Sequence, residues 1–579
     1  MKKNTAIWHV MKYLKAYRGK LLLVLLTALI SVPLGLLSPV LIGYAIDKIL
    51  GSGRVDFAGI TDIVILLLIT ATASAMMNWA LQSLTRNISA NVSQDMRREA
   101  FAAINKAPIA RLDSQPHGEL VSRLVNDADA VAEGIMQALA QLIPGAVTIV
   151  STLILMCMLN WPIALIVIVI TPLSILFARF IGVRTGKYFK KQAETQGAIS
   201  SYVNEMIGNY SVVQAFGYEK AAGENFERLT EDYFDANFKA TFYSSVGNPG
   251  TRFVNSIVYT AVGVFGAFYA ISGGITVGGL SAFLNYANQY TKPFNEVTAV
   301  LTQIQGAITG ANRLLGLMEW KPETPDEKNA RAPIAAAGDV KARDVCFSYR
   351  KGKPLIQDLS FDVKPGQRIA LVGPTGCGKT TVINLLMRFY EIDRGEILLD
   401  GFSIGQIKRD ALRKRFGMVL QDTWLKEATV HENIAYARTD APRDEVMAAA
   451  KNARADSFIR RLPKGYDTVI KSGGANLSAG QRQLLCIARI ILAEPDIFIL
   501  DEATSSIDTR TELSVQRALD SLMANSTSFI VAHRLSTIKN ADMILVMDAG
   551  HVVERGTHKE LLARDGFYAW IFKSQFQDA

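Results

Sequence analysis

Almost every long apolar run in this 579-residue chain lies before about residue 305, and that asymmetry limits the folds open to it. Hydrophobic residues make up 49 % of the whole, and the excess sits in blocks long enough for a helix to cross the hydrocarbon of a bilayer. Six spans can be drawn, at 21–46, 60–84, 139–159, 162–183, 254–271 and 277–300. The third and fourth join across Asn160-Trp161-Pro162, a tight reversal whose Trp suits the membrane–water interface. Glycine and polar residues make the fifth and sixth the least apolar.

Positive charge orients these spans. Lys2, Lys3, Lys12, Lys15, Arg18 and Lys20 precede the first. Arg97, Arg98, Lys106, Arg111, Arg184, Lys187, Lys190 and Lys191 fall in the long segments after the second and fourth. Cytoplasmic segments carry the excess of Lys and Arg, so the N-terminus and both long segments are expected in the cytoplasm, and six crossings return the chain there. The net charge of +9 then marks the cytoplasmic face and its anionic lipids rather than nucleic-acid binding. Residues 7–17 mix Trp8, Val10, Met11 and Leu14 with basic residues, as an amphipathic helix lying on that face would. The long basic region, with no small-x-small pattern after the apolar run, argues against a secretory signal peptide. Cys157, Cys346, Cys377 and Cys486 show no metal-ligand spacing, and three of them belong to the part expected in the cytosol, where thiols stay reduced.

Segments 86–133 and 184–243 are rich in helix formers. Each is expected to hold two helices that prolong the spans and reverse at a tip, with Pro116-His117-Gly118 as a breaker near the first. A polar stretch with Pro322, Pro325 and Pro333 reads as a linker, 321–338. Beyond it, short β-branched strands alternate with helices, as in an α/β domain.

That domain carries Gly373-Pro374-Thr375-Gly376-Cys377-Gly378-Lys379-Thr380, which fits the P-loop pattern at every fixed position between an apolar strand and a helix. Glycines let successive N–H groups point at phosphate oxygens, and the helix N-terminus adds partial positive charge. Lys379 can reach the β- and γ-phosphates and Thr380 can ligate Mg²⁺. Cys377 occupies a free position of the motif, and a thiol reagent there is expected to block nucleotide. A second apolar run, 496–500, ends in Asp501-Glu502. Asp501 at a strand end can organise Mg²⁺, and Glu502 can accept a proton from the attacking water. Leu477-Ser478-Ala479-Gly480-Gln481 precedes a helix expected from about 482 to 492. Its spacing reads equally well as a plain N-cap or as a second anion-binding helix end. His533 follows a third apolar strand, where it can hydrogen-bond a γ-phosphate or orient a water.

The combination resembles a half-transporter of the ATP-binding cassette (ABC) exporter family, six spans followed by one nucleotide-binding domain, over essentially the whole length. The expected fold is a membrane α-helical domain of six transmembrane helices with long cytoplasmic extensions, residues 1–320. A linker, 321–338, joins it to an α/β P-loop nucleotide-binding domain, 339–579. The resemblance makes Gly373 to Thr380 the Walker A motif, with Thr381 beside it at the ATP, and Ile497 to Asp501 Walker B, with Glu502 the general base. Ser478, Ala479, Gly480 and Gln481 become the signature, Gln421 the Q-loop residue touching Mg²⁺, Asp508 the D-loop, His533 the switch histidine and Tyr349 the aromatic that stacks on adenine. Leu112-Asp113, Gly118-Glu119-Leu120 and Asp127 are similar to the family's first intracellular loop, and Glu205, Gly208 and Phe216 to the helix leading from the second. The family architecture implies a dimer in which ATP lies between the Walker motifs of one chain and the signature of the other.

Two departures stand out. Ala479 replaces the signature's first Gly, and Ile470-Lys471-Ser472-Gly473-Gly474 stands where the family has Val-Gly-Glu-Arg-Gly. Both resemble bacterial heterodimeric multidrug exporters, so the expected partner is a second half-transporter chain, with a heterodimer favoured over a homodimer. The expected activity is an ATPase coupled to export of hydrophobic or amphipathic compounds, drugs or lipids, across a bacterial cytoplasmic membrane. Asn285, Tyr286, Asn288, Gln289, Tyr290, Asn78, Trp79 and Gln82 could line its cavity, or pack helix against helix. Few intramembrane charges argue against an ion-coupled carrier. An importer, a siderophore or peptide transporter, and a membrane-anchored regulatory ATPase remain open. Lack of an N-terminal peptidase domain weighs against processing of leader peptides.

Overall fold

The computed structural model describes residues 3–49, 55–326, 337–350, 352–419, 423–501, 509–524, 526–531 and 538–576. It divides into two compact units, Met1–Lys106 with Gln115–Lys321, and Ala107–Ser114 with Pro322–Ala579.

The first unit is helical. α1 (Lys3–Ala16) leads into α2 (Arg18–Asp47) and α3 (Phe57–Lys106). α4 (Ile109–Asp113) belongs to the second unit, and α5 (His117–Ser122) resumes the first. A π-helical turn, Arg123–Asp127, precedes α6 (Ala128–Gln137), and another, Ala138–Leu142, precedes α7 (Ile143–Leu159). α8 (Trp161–Gly208), α9 (Tyr210–Ala215), α10 (Glu219–Ile271) and α11 (Val277–Met318) complete it. At 1.5 Å per residue, α3, α8 and α10 are about 70–80 Å long, more than twice the hydrocarbon thickness, so their ends extend well beyond any bilayer. The expected reversals are present. Asn160 leaves helical geometry after α7, and its side chain caps α8 by accepting from Ile163 N at 3.3 Å. Pro116 stands before α5 with extended geometry.

All six expected spans are helical. Among the described residues, four helical stretches are both long and apolar enough to cross a membrane: Arg18–Asp47, Phe57–Lys106, His117–Leu159 and Glu219–Ile271. The apolar start of α8, Trp161–Pro172, is shorter, and α11 is not among the four. The fifth expected span therefore qualifies despite its polar residues. α1 lies where the amphipathic helix is expected. Tyr17, the residue that follows it, donates through its hydroxyl to Asp95 of α3 at 2.7 Å, and Ile7, Trp8 and Met11 of α1 are exposed.

The second unit is α/β. A four-stranded antiparallel sheet runs in the order β2 (Ile356–Val363), β1 (Val340–Phe347), β4 (Arg394–Leu399), β5 (Phe402–Ser403). The larger sheet has six strands in the order β10 (His551–Gly556), β9 (Met543–Asp548), β3 (Arg368–Val372), β8 (Thr527–Val531), β7 (Ile497–Asp501), β6 (Phe416–Val419). β9, β3, β8, β7 and β6 are parallel, and β10 adds an antiparallel edge. These strands read as unbroken apolar runs because both faces of the sheet are covered. One core joins the two sheets through Ile369, Leu371, Ile499 and Phe529, and the other packs Ala370, Leu500 and Ile530 against helices including Leu484, Leu485 and Ala488.

Candidate active site

Parallel strands put their C-terminal ends on one edge, the usual place for a ligand in an open α/β sheet. β3 ends at Val372, immediately before the P-loop, and β7 ends at Asp501, with β8 between them. Gln421, Glu502, Asp508 and His533 lie outside the described residues. In sequence, Gln421 and His533 come two positions after the ends of β6 and β8, and Glu502 comes one after β7.

The P-loop turns through Gly376 and Gly378, both left-handed at φ +85° and +107°, and a Cβ on Gly378 would stand 2.6 Å from Ile356 Cδ1. The helix it opens, α12 (Lys379–Leu386), starts at the motif's lysine. Lys379 is buried, and its ammonium donates to the carbonyl oxygens of Gly373 at 2.7 Å and Pro374 at 3.1 Å, so the charge is aimed into the turn. Thr375 and Thr380 are exposed. Cys377 is buried, and burial pushes its thiol up despite the charge of Lys379. Burial and the raised pKa slow attack by a thiol reagent, because the thiolate is the reactive form.

Tyr349 is about half exposed, and its hydroxyl lies 3.3 Å from Thr381 Oγ1 and accepts from Asn384 Nδ2 at 3.4 Å. Thr381 is itself buried, so its hydroxyl supports Tyr349. Phe347 and Tyr390 stand edge-on to Tyr349, with ring centroids 4.8 and 4.9 Å away.

α13 (Arg409–Lys414), α14 (Val430–Ile434), α15 (Arg443–Asn452) and α16 (Asp456–Ile459) lead to α17 (Ala479–Ala493), which begins three residues earlier than expected. Ser478 caps it reciprocally. Its hydroxyl accepts from Gln481 N at 3.3 Å, while its own N–H donates to Gln481 Oε1 at 3.0 Å. Ala479 is the first helical residue and Gly480 is buried behind it. In the divergent stretch before the signature, Gly473 and Gly474 are left-handed at φ +67° and +73°. A Cβ on Gly474 would stand 2.4 Å from Arg482 Cδ.

Sequence reasoning missed the surroundings of α12. Buried Arg409 donates through its backbone N–H at 3.0 Å and through Nη1 at 2.8 Å to Asp326, and Arg413 Nη2 reaches Glu323 at 2.8 Å. These carboxylates belong to the described start of the proline-bearing stretch, residues 323–326, which is thus clamped near the end of the P-loop helix. Alternating charge in a linker looks merely solvated in sequence.

In the membrane unit, Tyr286 and Tyr290 are core residues rather than cavity wall. Tyr286 is fully buried and its hydroxyl donates to Leu36 O at 2.6 Å. Asn285, Asn288 and Gln289 lie on the opposite, exposed face of α11, and Asn78, Trp79 and Gln82 are exposed on α3.

Residues 21–294 match the family model of the ABC transporter transmembrane region, and residues 356–505 match that of the ABC transporter. A Bacillus subtilis protein, the uncharacterized ABC transporter ATP-binding protein YfiC, is 40 % identical over 99 % of this chain and 94 % of its own length. The chain belongs to the ABC transporter family. Another relative of this transporter, the fatty acid ABC transporter ATP-binding/permease protein of Mycobacterium bovis, is 41 % identical over 89 % of this chain and 81 % of its own. The ATP-dependent lipid A-core flippase of Vibrio cholerae is 32 % identical over 97 % of each. Among solved structures, a bacterial Atm1-family ABC exporter with ATP bound superposes with a TM-score of 0.76 at 27 % identity, covering 97 % of this chain and 98 % of that one. The transporter is thus a half-transporter of the exporter type, a helical membrane domain fused to an ABC ATPase. Its ATPase is coupled to transport, and a half-transporter works as a dimer.

Proposed function

We propose that the transporter exports hydrophobic or amphipathic compounds across the bacterial cytoplasmic membrane by alternating access. Residues 1–320 act as its transmembrane domain, 321–338 as the linker and 339–579 as the nucleotide-binding domain. The observation that carries the reading is the shared C-terminal edge of β3, β8, β7 and β6, which gathers the P-loop and Asp501. ATP rests on Gly373, Thr375, Gly376, Cys377, Gly378, Lys379, Thr380 and Thr381, with adenine on Tyr349. The exposed Thr380 hydroxyl, the Asp501 carboxylate and Gln421 are hard oxygen donors of the kind Mg²⁺ takes. Mg²⁺ would supply charge neutralisation on the phosphates. Glu502 accepts the proton of the attacking water, His533 and Asp508 complete the site, and Ser478, Ala479, Gly480 and Gln481 meet the ATP of the partner chain.

Relatives named for fatty acids and for lipid A favour lipids over drugs as cargo. Ser472 and Ala479 favour a heterodimer. ATP that binds the closed dimer much more tightly than the open one drives the cycle by population shift.

The test is vanadate-sensitive ATPase activity of this chain alone in lipid nanodiscs, with Glu502→Gln as control and fatty acids titrated in. Activity that fatty acids stimulate and the control lacks is the expected result for a lipid exporter. Activity blind to every amphiphile sinks the cargo reading. Robust activity of the single chain removes the heterodimer.

A further inference from the structure

We propose that Tyr390 is a positioning residue that ties Asp113 of the first intracellular loop to Tyr349, so that a base resting on Tyr349 orders that loop. The inference rests on reading Tyr349 as the adenine platform.

Ala107–Ser114 packs within the second unit. Asp113, the last residue of α4, accepts a hydrogen bond from the Tyr390 hydroxyl at 2.6 Å. Tyr390 reaches it because α12 ends at Leu386 and the chain turns through Arg388, at φ +51°, while Phe389 N donates back to Asn384 O at 2.9 Å. The next residue, Glu391, is held by Arg388 Nε at 3.1 Å and by Arg409 Nη2 at 2.5 Å. The backbone on either side of Tyr390 is therefore anchored.

Its ring is perpendicular to that of Tyr349, centroids 4.9 Å apart at 89°, and Phe347 closes the triad at 5.6 Å and 68° from Tyr390. Tyr349 in turn leans on Thr381 and Asn384 of the P-loop helix. A continuous path thus runs from the P-loop helix through two tyrosines to a carboxylate of the loop. Edge-to-face aromatic pairs have preferred geometry, so a third ring laid on Tyr349 constrains the ring already at its edge. Burial and then the bond to Asp113 push the Tyr390 phenol up, which keeps it a donor throughout the physiological range.

Tyr390→Phe keeps the ring and removes the donor, which separates the relay from plain packing. The experiment is hydrogen exchange across 107–114 in the full-length dimer in nanodiscs, with and without saturating ATP, bound nucleotide being quantified in each sample. ATP is expected to slow exchange there in the wild type, and inorganic triphosphate, lacking a base, is not. Tyr390→Phe and Asp113→Ala should each abolish the slowing, and the double variant should be no worse than either single one. A wild-type segment indifferent to ATP, an equal response to triphosphate, or a wild-type response in Tyr390→Phe overturns the relay. Tyr349→Ala separates the two readings. Unchanged ATP affinity in it removes the adenine platform and the relay together, whereas weakened affinity beside an intact Tyr390→Phe response removes the relay alone.

Discussion

β7 and the N-terminal part of α3 both carry unbroken apolar runs, yet they treat those residues in opposite ways. β7 buries Ile497, Phe498, Ile499 and Leu500, leaving only Asp501 partly open at the functional edge. In the most apolar stretch of α3 only 6 % of residues are buried, and Leu66, Leu68 and Ile69 all face outward. The hydrophobic effect requires removal from water, which the inside of a sheet and the inside of a bilayer both provide. Apolar pattern therefore locates what must leave water, and surroundings decide whether it packs on protein.

Substitutions can break or sharpen that contrast. The largest effects belong to the polar rim of the sheet, where chemistry rather than burial is at stake. Glu502→Gln should keep ATP binding and lower turnover by roughly 10²- to 10⁴-fold, the range general-base catalysis supplies, as measured by phosphate release. Lys379→Ala should remove the ammonium aimed into the P-loop and with it ATP binding, which nucleotide filtration would reveal. Next come matched truncations in the two apolar regions. Ile499→Ala should cost about 2–5 kcal/mol in unfolding, the usual loss for a fully buried residue. Leu68→Ala on α3 should cost much less in the bilayer, since its lost contacts are to lipid. An equal cost at Leu68 would mean that this face packs on a second protein chain. The smallest equilibrium effect is Tyr286→Phe, about 1 kcal/mol for the hydrogen bond to Leu36 O. Cys377 should react with maleimide at pH 7 far more slowly than in the unfolded chain, and faster as pH rises through its raised pKa. Labelling at the unfolded rate would show that the P-loop opens.

Local signals were readable wherever one short segment satisfies its own groups. The break at Asn160, the start of α5 after Pro116, and the Ser478–Gln481 cap depend on residues within a few positions of one another. The P-loop belongs to the same class, because its glycines and lysine answer each other across a single turn. Contacts between distant segments were not readable. Tyr390 looks like an ordinary aromatic after a helix until the fold puts Asp113 at its hydroxyl, 277 positions away. Arg409 looks like a surface arginine until Asp326 meets it from the linker. Tyr286 and Asn285 are neighbours in sequence and equal candidates for a cavity wall, and only helix packing sends one inward and leaves the other exposed.

The sequence by itself determined that the chain is half membrane helix and half P-loop ATPase, because bilayer thickness and phosphate binding impose lengths and spacings that few other structures need. Tertiary structure alone decided which polar side chains serve as scaffold, how the linker is held, and which aromatic stands against Tyr349. Those outcomes follow from side chains brought within hydrogen-bonding or ring-contact distance across scores or hundreds of residues, and no periodicity along one segment encodes such a meeting.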